Sequence, residues 1–352
     1  MRIRFAPVAV AVSCLLSASV APAHAAKAKH HITWLLGHEN LDYFEEAAES
    51  FKKTVEEGSG GEIAVTIVTD VHDGGRSMPG IAAKVAKGEA EMGHSFADVM
   101  GAVDPRFHVF EAPYLFRDYR HLEGVFEGPV GAAMLGDLRS QGLVGLSFTY
   151  SGGASGVATA KRELRTLEDL KGLRVGVYGE PLNGAWLKTL GAEAVPVGHK
   201  INEIVPKRRD GALDAAVITW RNFQAGRLQA GFDRFSLPDS TYLVSVTYAN
   251  EKFLAGLPEK HRTLILTASR DAAWIERVKT IELNAEAKRD LLAQGVRPVY
   301  ASEGLRRAVA ERSRASVEAF VGREFLETVL SAKDGPEHPA IPAGFAARNR
   351  LR

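Results

Sequence analysis

Cysteine is almost missing: the 352 residues hold one, Cys14, inside the first apolar stretch. With that stretch removed, no thiol remains for a disulfide or a thiolate metal site. An excess of either charge is missing too, since 44 lysines and arginines face 43 aspartates and glutamates for a formal charge of +1. That balance leaves no electrostatic footprint for nucleic acid or an anionic membrane. Beyond the first residues no apolar run approaches the roughly 20 needed to span a bilayer. Catalytic signatures are equally scarce. There is no H-E-x-x-H, Walker loop or EF-hand loop, and Gly153-Ala-Ser-Gly156 fails as a nucleophile elbow because Val157 stands where a further glycine is needed. Histidines at 30, 31, 38, 72, 94, 108, 121, 199, 261 and 338 lack metal-ligand spacing. No cofactor and no metal are expected, and a secreted enzyme or metal-binding protein is the lesser alternative.

What is present begins with an export signal. Arg2 and Arg4 precede an apolar run from Phe5 to Val20, and Ala23-His-Ala25 is a small-x-small cleavage site. Cleavage after Ala25 removes two arginines and takes the formal charge to about −1. Val12-Ser-Cys14 also admits a lipoprotein signal, though Ala11 matches that pattern poorly. The expected product is a soluble periplasmic protein of about 330 residues, too long for one ordinary core and therefore of two domains.

Periodicity supplies the elements. Ile32–Leu36 reads as a strand, Leu41–Val55 as an amphipathic helix and Glu62–Val68 as a second strand, a βαβ start. A helix over 79–87 and a strand ending near Ser95 and Phe96 follow. Gly142–Tyr150 is a strand leading into the glycine-rich Ser151–Gly156. Thr166 is a candidate N-cap, Glu168 and Asp169 put acidic charge on a first turn, and Gly172 ends that turn before the strand Leu173–Val177. Gly176 and Tyr178 share a strand face by period two, and ligands gather at strand carboxyl ends in open α/β sheets. Further on come a helix over 182–189, strands at Ala215–Thr219 and Thr241–Tyr248, a long helix over 259–294, a last helix over 302–330 and a Pro-rich, unpacked tail. Lys207-Arg-Arg209 reads as a solvated helix face, and the pair His38-Glu39 as loop residues.

Two motifs, Thr166-Leu-Glu-Asp-Leu-Lys-Gly-Leu-Arg-Val-Gly-Val177 and Glu111-Ala-Pro-Tyr-Leu-Phe-Arg-Asp-Tyr-Arg-His121, carry a resemblance. They are similar to segments of the solute receptors of tripartite ATP-independent periplasmic (TRAP) transporters. Leu190–Pro196 and Asp210–Val217 match family patterns approximately, so the resemblance runs from about Ile32 to Leu330. It implies a two-lobed α/β fold like the type II periplasmic binding proteins, with hinge strands and a long helix in the C-terminal half spanning the lobes. Lobe I would comprise 30–150 and 242–280, lobe II 151–241 and 281–330, after a signal peptide over 1–25 and before a tail over 331–352. The implied partners are a small-molecule ligand and membrane permease subunits, with the receptor a monomer.

The resemblance also implies the site. From lobe I come His38, Glu39 and Asn40 after the first strand, Ser95, Phe96 and Tyr114. From lobe II come Ser155, Gly176, His199 and Ile218, where the family more often has Arg, Arg, Phe and Asn. Losing both arginines leaves a carboxylate ligand in need of another cation, because an unpaired buried charge costs several kcal/mol. Arg221, after Trp220, is either that cation or a surface residue in a strand-to-helix connection. Arg174, on the same strand face as Gly176, reads as exposed. The other reading is a neutral, sulfonated or aromatic ligand stacked on Trp220, Tyr178 or Tyr114 and hydrogen-bonded by His199 and Ser155.

Overall fold

The structure is a computed structural model that describes residues 28–37, 42–69, 79–179, 181–197 and 200–342. Strand β1 (His30–Leu36) turns Ile32, Trp34 and Leu36 to one face, and helix α1 (Asp42–Gly58) covers them with Phe44, Ala47, Ala48, Phe51 and Val55. Strand β2 (Ile63–Val68), α2 (Pro79–Lys87) and β3 (Met92–Phe96) complete a parallel β2-β1-β3 set. After α3 (Ala97–Met100) the 3₁₀ segment Pro105–Glu111 leads to α4 (Tyr119–Glu127) and α5 (Pro129–Asp137). Asp118 caps α4, its carboxylate accepting the His121 amide at 3.0 Å.

Strand β4 (Leu143–Thr159) is 17 residues long and runs through the segment that reads as the end of a strand in the sequence. The reason is Gly152 and Gly153: with φ of 126° and 70° they absorb a bulge, so the strand shifts register and continues instead of turning away. There follow β5 (Arg174–Val177), α6 (Pro181–Thr189), β6 (Glu193–Pro196), α7 (Ile204–Arg209), β7 (Ala215–Thr219) and α8 (Trp220–Ala225). Strand β8 (Arg234–Asn250) is the antiparallel partner of β4 along its length. It begins seven residues earlier than its apolar run suggests, because a second bulge at Leu237–Ser240 interrupts the pattern. Last come α9 (Glu251–Gly256), α10 (Glu259–Ala293), β9 (Arg297–Val299), α11 (Glu303–Val321) and α12 (Arg323–Leu330). The single helix expected over 302–330 is broken at Gly322, whose φ is 82°.

One sheet holds nine strands among the described residues, in the order β2-β1-β3-β8-β4-β7-β5-β6 with β9 beside β8. Both end groups are parallel within themselves, and the long antiparallel pair β4/β8 passes through both. This is the two-lobed α/β fold with hinge strands. Helix α10 spans it, packing on α1 at one end, β4 in the middle and α8 at the other. Its polar side chains fix it to β4 at the bulge. Thr280 Oγ1 donates to Tyr150 O at 2.9 Å and Asn284 Nδ2 to Gly152 O at 2.5 Å. Arg277 pairs with the buried Glu123 at 2.7 Å, and the Tyr150 hydroxyl donates to the same carboxylate.

The tail is not unpacked throughout. Arg117 pairs with Asp334 at 2.5 Å, Gly335 N donates to Arg120 O at 2.7 Å, and Trp274 Nε1 donates to Pro339 O at 2.9 Å. Residues 331–340 are thereby laid along α4 and α10. The basic run is likewise not wholly solvated: Arg208 donates to Gly231 O and Leu213 O, and its guanidinium lies over the Phe232 ring. Among the described residues no helix is long and apolar enough to cross a membrane.

Candidate ligand cleft

A cavity of about 30 Å³, little more than the space of a water or two, lies where β3 and β5 end and β4 and β8 cross. Its polar walls are Asp98, Glu111, Ser155, Tyr178, Asn183 and Thr241. Asp98 opens α3 directly after β3, and its Oδ1 accepts its neighbour Val99's amide at 2.8 Å. Glu111 ends the 3₁₀ segment and is buried, with Oε2 2.9 Å from His108 Nδ1. From the other side Asn183, in the first turn of α6, donates through Nδ2 to Glu111 Oε1 and to Gly179 O, while its Oδ1 accepts from Trp186 Nε1. Gly179 is required here, since a Cβ on it would collide with the Asp98 carboxylate.

Burial pushes the Glu111 carboxyl up to about 7; the Asp98 charge adds to the rise and the His108 hydrogen bond opposes it. Ser155 and Thr241 are 4% and 5% exposed, and the Ser155 carbonyl accepts from the Ser240 hydroxyl. Among the described residues, the ionisable side chains lining the cavity, tyrosines aside, are the two carboxyls of Asp98 and Glu111.

Two residues singled out in the sequence, Ser155 and Tyr178, line this cavity. The structure places the other described ones elsewhere. Ser95 lies in the core with Oγ 2.6 Å from the Tyr248 hydroxyl, and Phe96 is buried at the N-cap of α3. Tyr114, at a left-handed φ of 54°, has its ring beneath the Arg306 guanidinium and lines a separate groove against α11. Gly176 pairs with Ala216 and therefore faces the side of the sheet that Ile218 faces, a core covered by α7 and α8. A Cβ on Gly176 would meet Leu213 and Val197 at 3.2 Å. Trp220 is stacked on Phe235 with ring centroids 3.7 Å apart. The Arg221 backbone amide donates to Asn284 Oδ1 of α10 at 2.8 Å, and its Nη1 donates to Gln224 of α8 at 3.1 Å. Arg174 is bound to Asp214 through two bonds of 2.8 and 3.0 Å, a pairing the sequence left unseen. His38, Glu39, Asn40 and His199 lie outside the described residues.

Asp98, Glu111, Asn183 and Thr241 were missed. Asp98 was within reach, two residues past the strand end already singled out. Glu111 and Asn183 carried no local signal, because only the folded approach of the 3₁₀ segment to α6 brings them together.

Two lobes sharing a pair of crossing strands, with a small polar cavity at the strand ends between them, define a solute-binding receptor. The family model of bacterial extracellular solute-binding protein family 7 matches residues 37–323, and the chain belongs to that family, the receptors of TRAP transporters. It is 24% identical over 292 residues to a solute-binding protein of Verminephrobacter eiseniae, covering 82% of this chain and 84% of that one. It is 27% identical over 157 residues to the C4-dicarboxylate-binding periplasmic protein of Rhodobacter capsulatus, covering 45% and 46%. Among solved structures, the sugar acid binding protein of Advenella mimigardefordensis in complex with galactonate superposes with a TM-score of 0.76 at 22% identity, covering 87% of this chain and 98% of that one. The family is one of periplasmic transport receptors rather than enzymes. Among the described residues no group of three or more His, Cys, Asp or Glu side chains could hold a metal ion.

Proposed function

We propose that this receptor binds a small organic acid or a closely related polar metabolite in the cleft and delivers it by hinge closure to integral membrane permease subunits. The observation that carries the reading is the cavity itself. Its walls come from both sides of the crossing strands, Asp98 and Glu111 from one and Tyr178 and Asn183 from the other. A ligand drives closure only so far as it touches both lobes, and one with equal affinity for the open and closed forms shifts nothing. The C4-dicarboxylate and galactonate of the two relatives support the ligand class.

The working unit is a monomer freed by cleavage near Ala25. Lobe I is built from 30–150 and 242–280 and lobe II from 151–241 and 281–330. Ser155 and Tyr178 contact the ligand, joined by Asp98, Glu111, Asn183 and Thr241. His38, Glu39, Asn40 and His199 remain candidates by resemblance alone.

A thermal-shift screen tests the reading with succinate, galactonate and glucuronate against neutral, sulfonated and aromatic metabolites. An acid present at a hundred times its dissociation constant should stabilise the protein by about 2.7 kcal/mol. Stabilisation by a non-acid alone would refute the ligand class.

A further inference from the structure

Glu111 and Asn183 wall the cavity from opposite sides, and their polar atoms bond to each other and to their own neighbours. Glu111 Oε2 lies 2.9 Å from His108 Nδ1, and its Oε1 accepts from Asn183 Nδ2. Asn183 Nδ2 also donates to Gly179 O at 2.9 Å, while Asn183 Oδ1 accepts from Trp186 Nε1 at 3.1 Å. An indole N–H can only donate, so Trp186 fixes the amide with its oxygen inward and its NH2 toward Glu111. His108, Glu111, Asn183 and Trp186 are all buried. Together they run from the 3₁₀ segment across the cleft into α6, joining side chains 72 residues apart. Two further contacts draw the same parts together: Gly179 passes too close to Asp98 for a Cβ, and the His108 ring stands edge-on to Phe320 of α11 with centroids 5.5 Å apart.

We propose that the Glu111–Asn183 bond is a latch that draws the receptor partly shut before any solute arrives, with Asn183 and Trp186 as positioning residues that set affinity through closure. The proposal rests on the two-lobe reading above, in which Glu111 lies in lobe I and Asn183 in lobe II. A hydrogen bond shielded from water is stronger than one exposed to it. Because His108 and Trp186 hold the two partners in place, little side-chain freedom is lost when the lobes meet. The latch acts on populations. A solute that enters through the open form and is held in the closed one gains entry in proportion to the open fraction, and its apparent affinity follows the closed fraction. The latch therefore slows entry while tightening retention. Losing an ordinary contact to the solute leaves another mark, faster release with entry unchanged.

Small-angle scattering on the solute-free protein reads the latch directly. Asn183→Ala should enlarge the radius of gyration relative to the unaltered receptor, and saturating galactonate should bring the two to the same value. In stopped-flow mixing with galactonate, the variant should associate about threefold faster and bind about threefold more weakly. The two factors multiply to the roughly tenfold that one buried hydrogen bond is worth. Trp186→Phe keeps a ring in place and removes the N–H that orients Asn183, so both readings should move the same way by less. It carries the test where Asn183→Ala does not fold. An unchanged solute-free radius in the variants, with galactonate compacting every form, would overturn the latch and leave the receptor reading standing. Weaker binding through faster release alone would do the same. If neither substitution nor galactonate changes the radius, the hinge reading falls together with the latch.

Discussion

A side chain built on Gly176 has nowhere to go without moving Leu213 and Val197. Gly176→Arg should therefore lower stability by about 3–5 kcal/mol, the cost of a guanidinium buried in an apolar core without a partner, and should not tighten the binding of any acid. Thermal melting and calorimetry on the variant check both halves, and a tighter-binding Gly176→Arg protein would show the position to be an open ligand subsite. Arg221→Ala, by contrast, removes the Nη1 contact to Gln224 while keeping the backbone amide that Asn284 holds, and should change stability by under about 1 kcal/mol, read from paired melts. Period two correctly implied that Gly176 shares a face with its second neighbour. It did not tell which face helices cover, and that was decided by α7 and α8, far away in sequence. The same limit hid Arg174, whose partner Asp214 is 40 residues on.

Helices and strands with uninterrupted apolar periods were legible to within a few residues: β1, α2, β7 and α10 lie where their patterns put them. The two crossing strands were not, because each contains a bulge that breaks the alternation on which such readings depend. In β8 that bulge holds Leu237 and Asp239 at φ of 49° and 60°, a conformation no apolar pattern announces. In β4 the bulge relies on glycine. Gly153→Ala should cost about 1–3 kcal/mol, since the new Cβ is strained at this φ and collides with the Tyr119 hydroxyl that holds the Ala154 amide. Asn284→Ala should cost a similar amount, about 2–3 kcal/mol, by leaving Gly152 O and the Arg221 amide without their partner. Chemical denaturation with unchanged m-values would check both.

At the scale of the whole molecule, the cavity is too small for an organic acid, so the solute must enter through an opened form. Scattering should then record a smaller radius of gyration once the acid is saturating; an unchanged curve would refute the hinge mechanism. Glu111 adds a pH signature. Its folded pKa of about 7 lies above the usual 4.5, so its contribution to stability is full below pH 4.5 and is lost as pH rises through 7. Relative to Glu111→Gln, the unaltered protein should lose about 3 kcal/mol between those limits, read from paired melts. The shared strands carry one more consequence. Because β4 and β8 continue through both lobes and α10 is fixed to each, neither lobe possesses a complete set of hydrogen-bonded neighbours by itself. The two halves should melt as a single cooperative unit, giving one calorimetric endotherm with equal van't Hoff and calorimetric enthalpies. An excised lobe, cut at the crossing strands, should be insoluble, because the cut bares the long sheet edges that the uncut chain keeps paired.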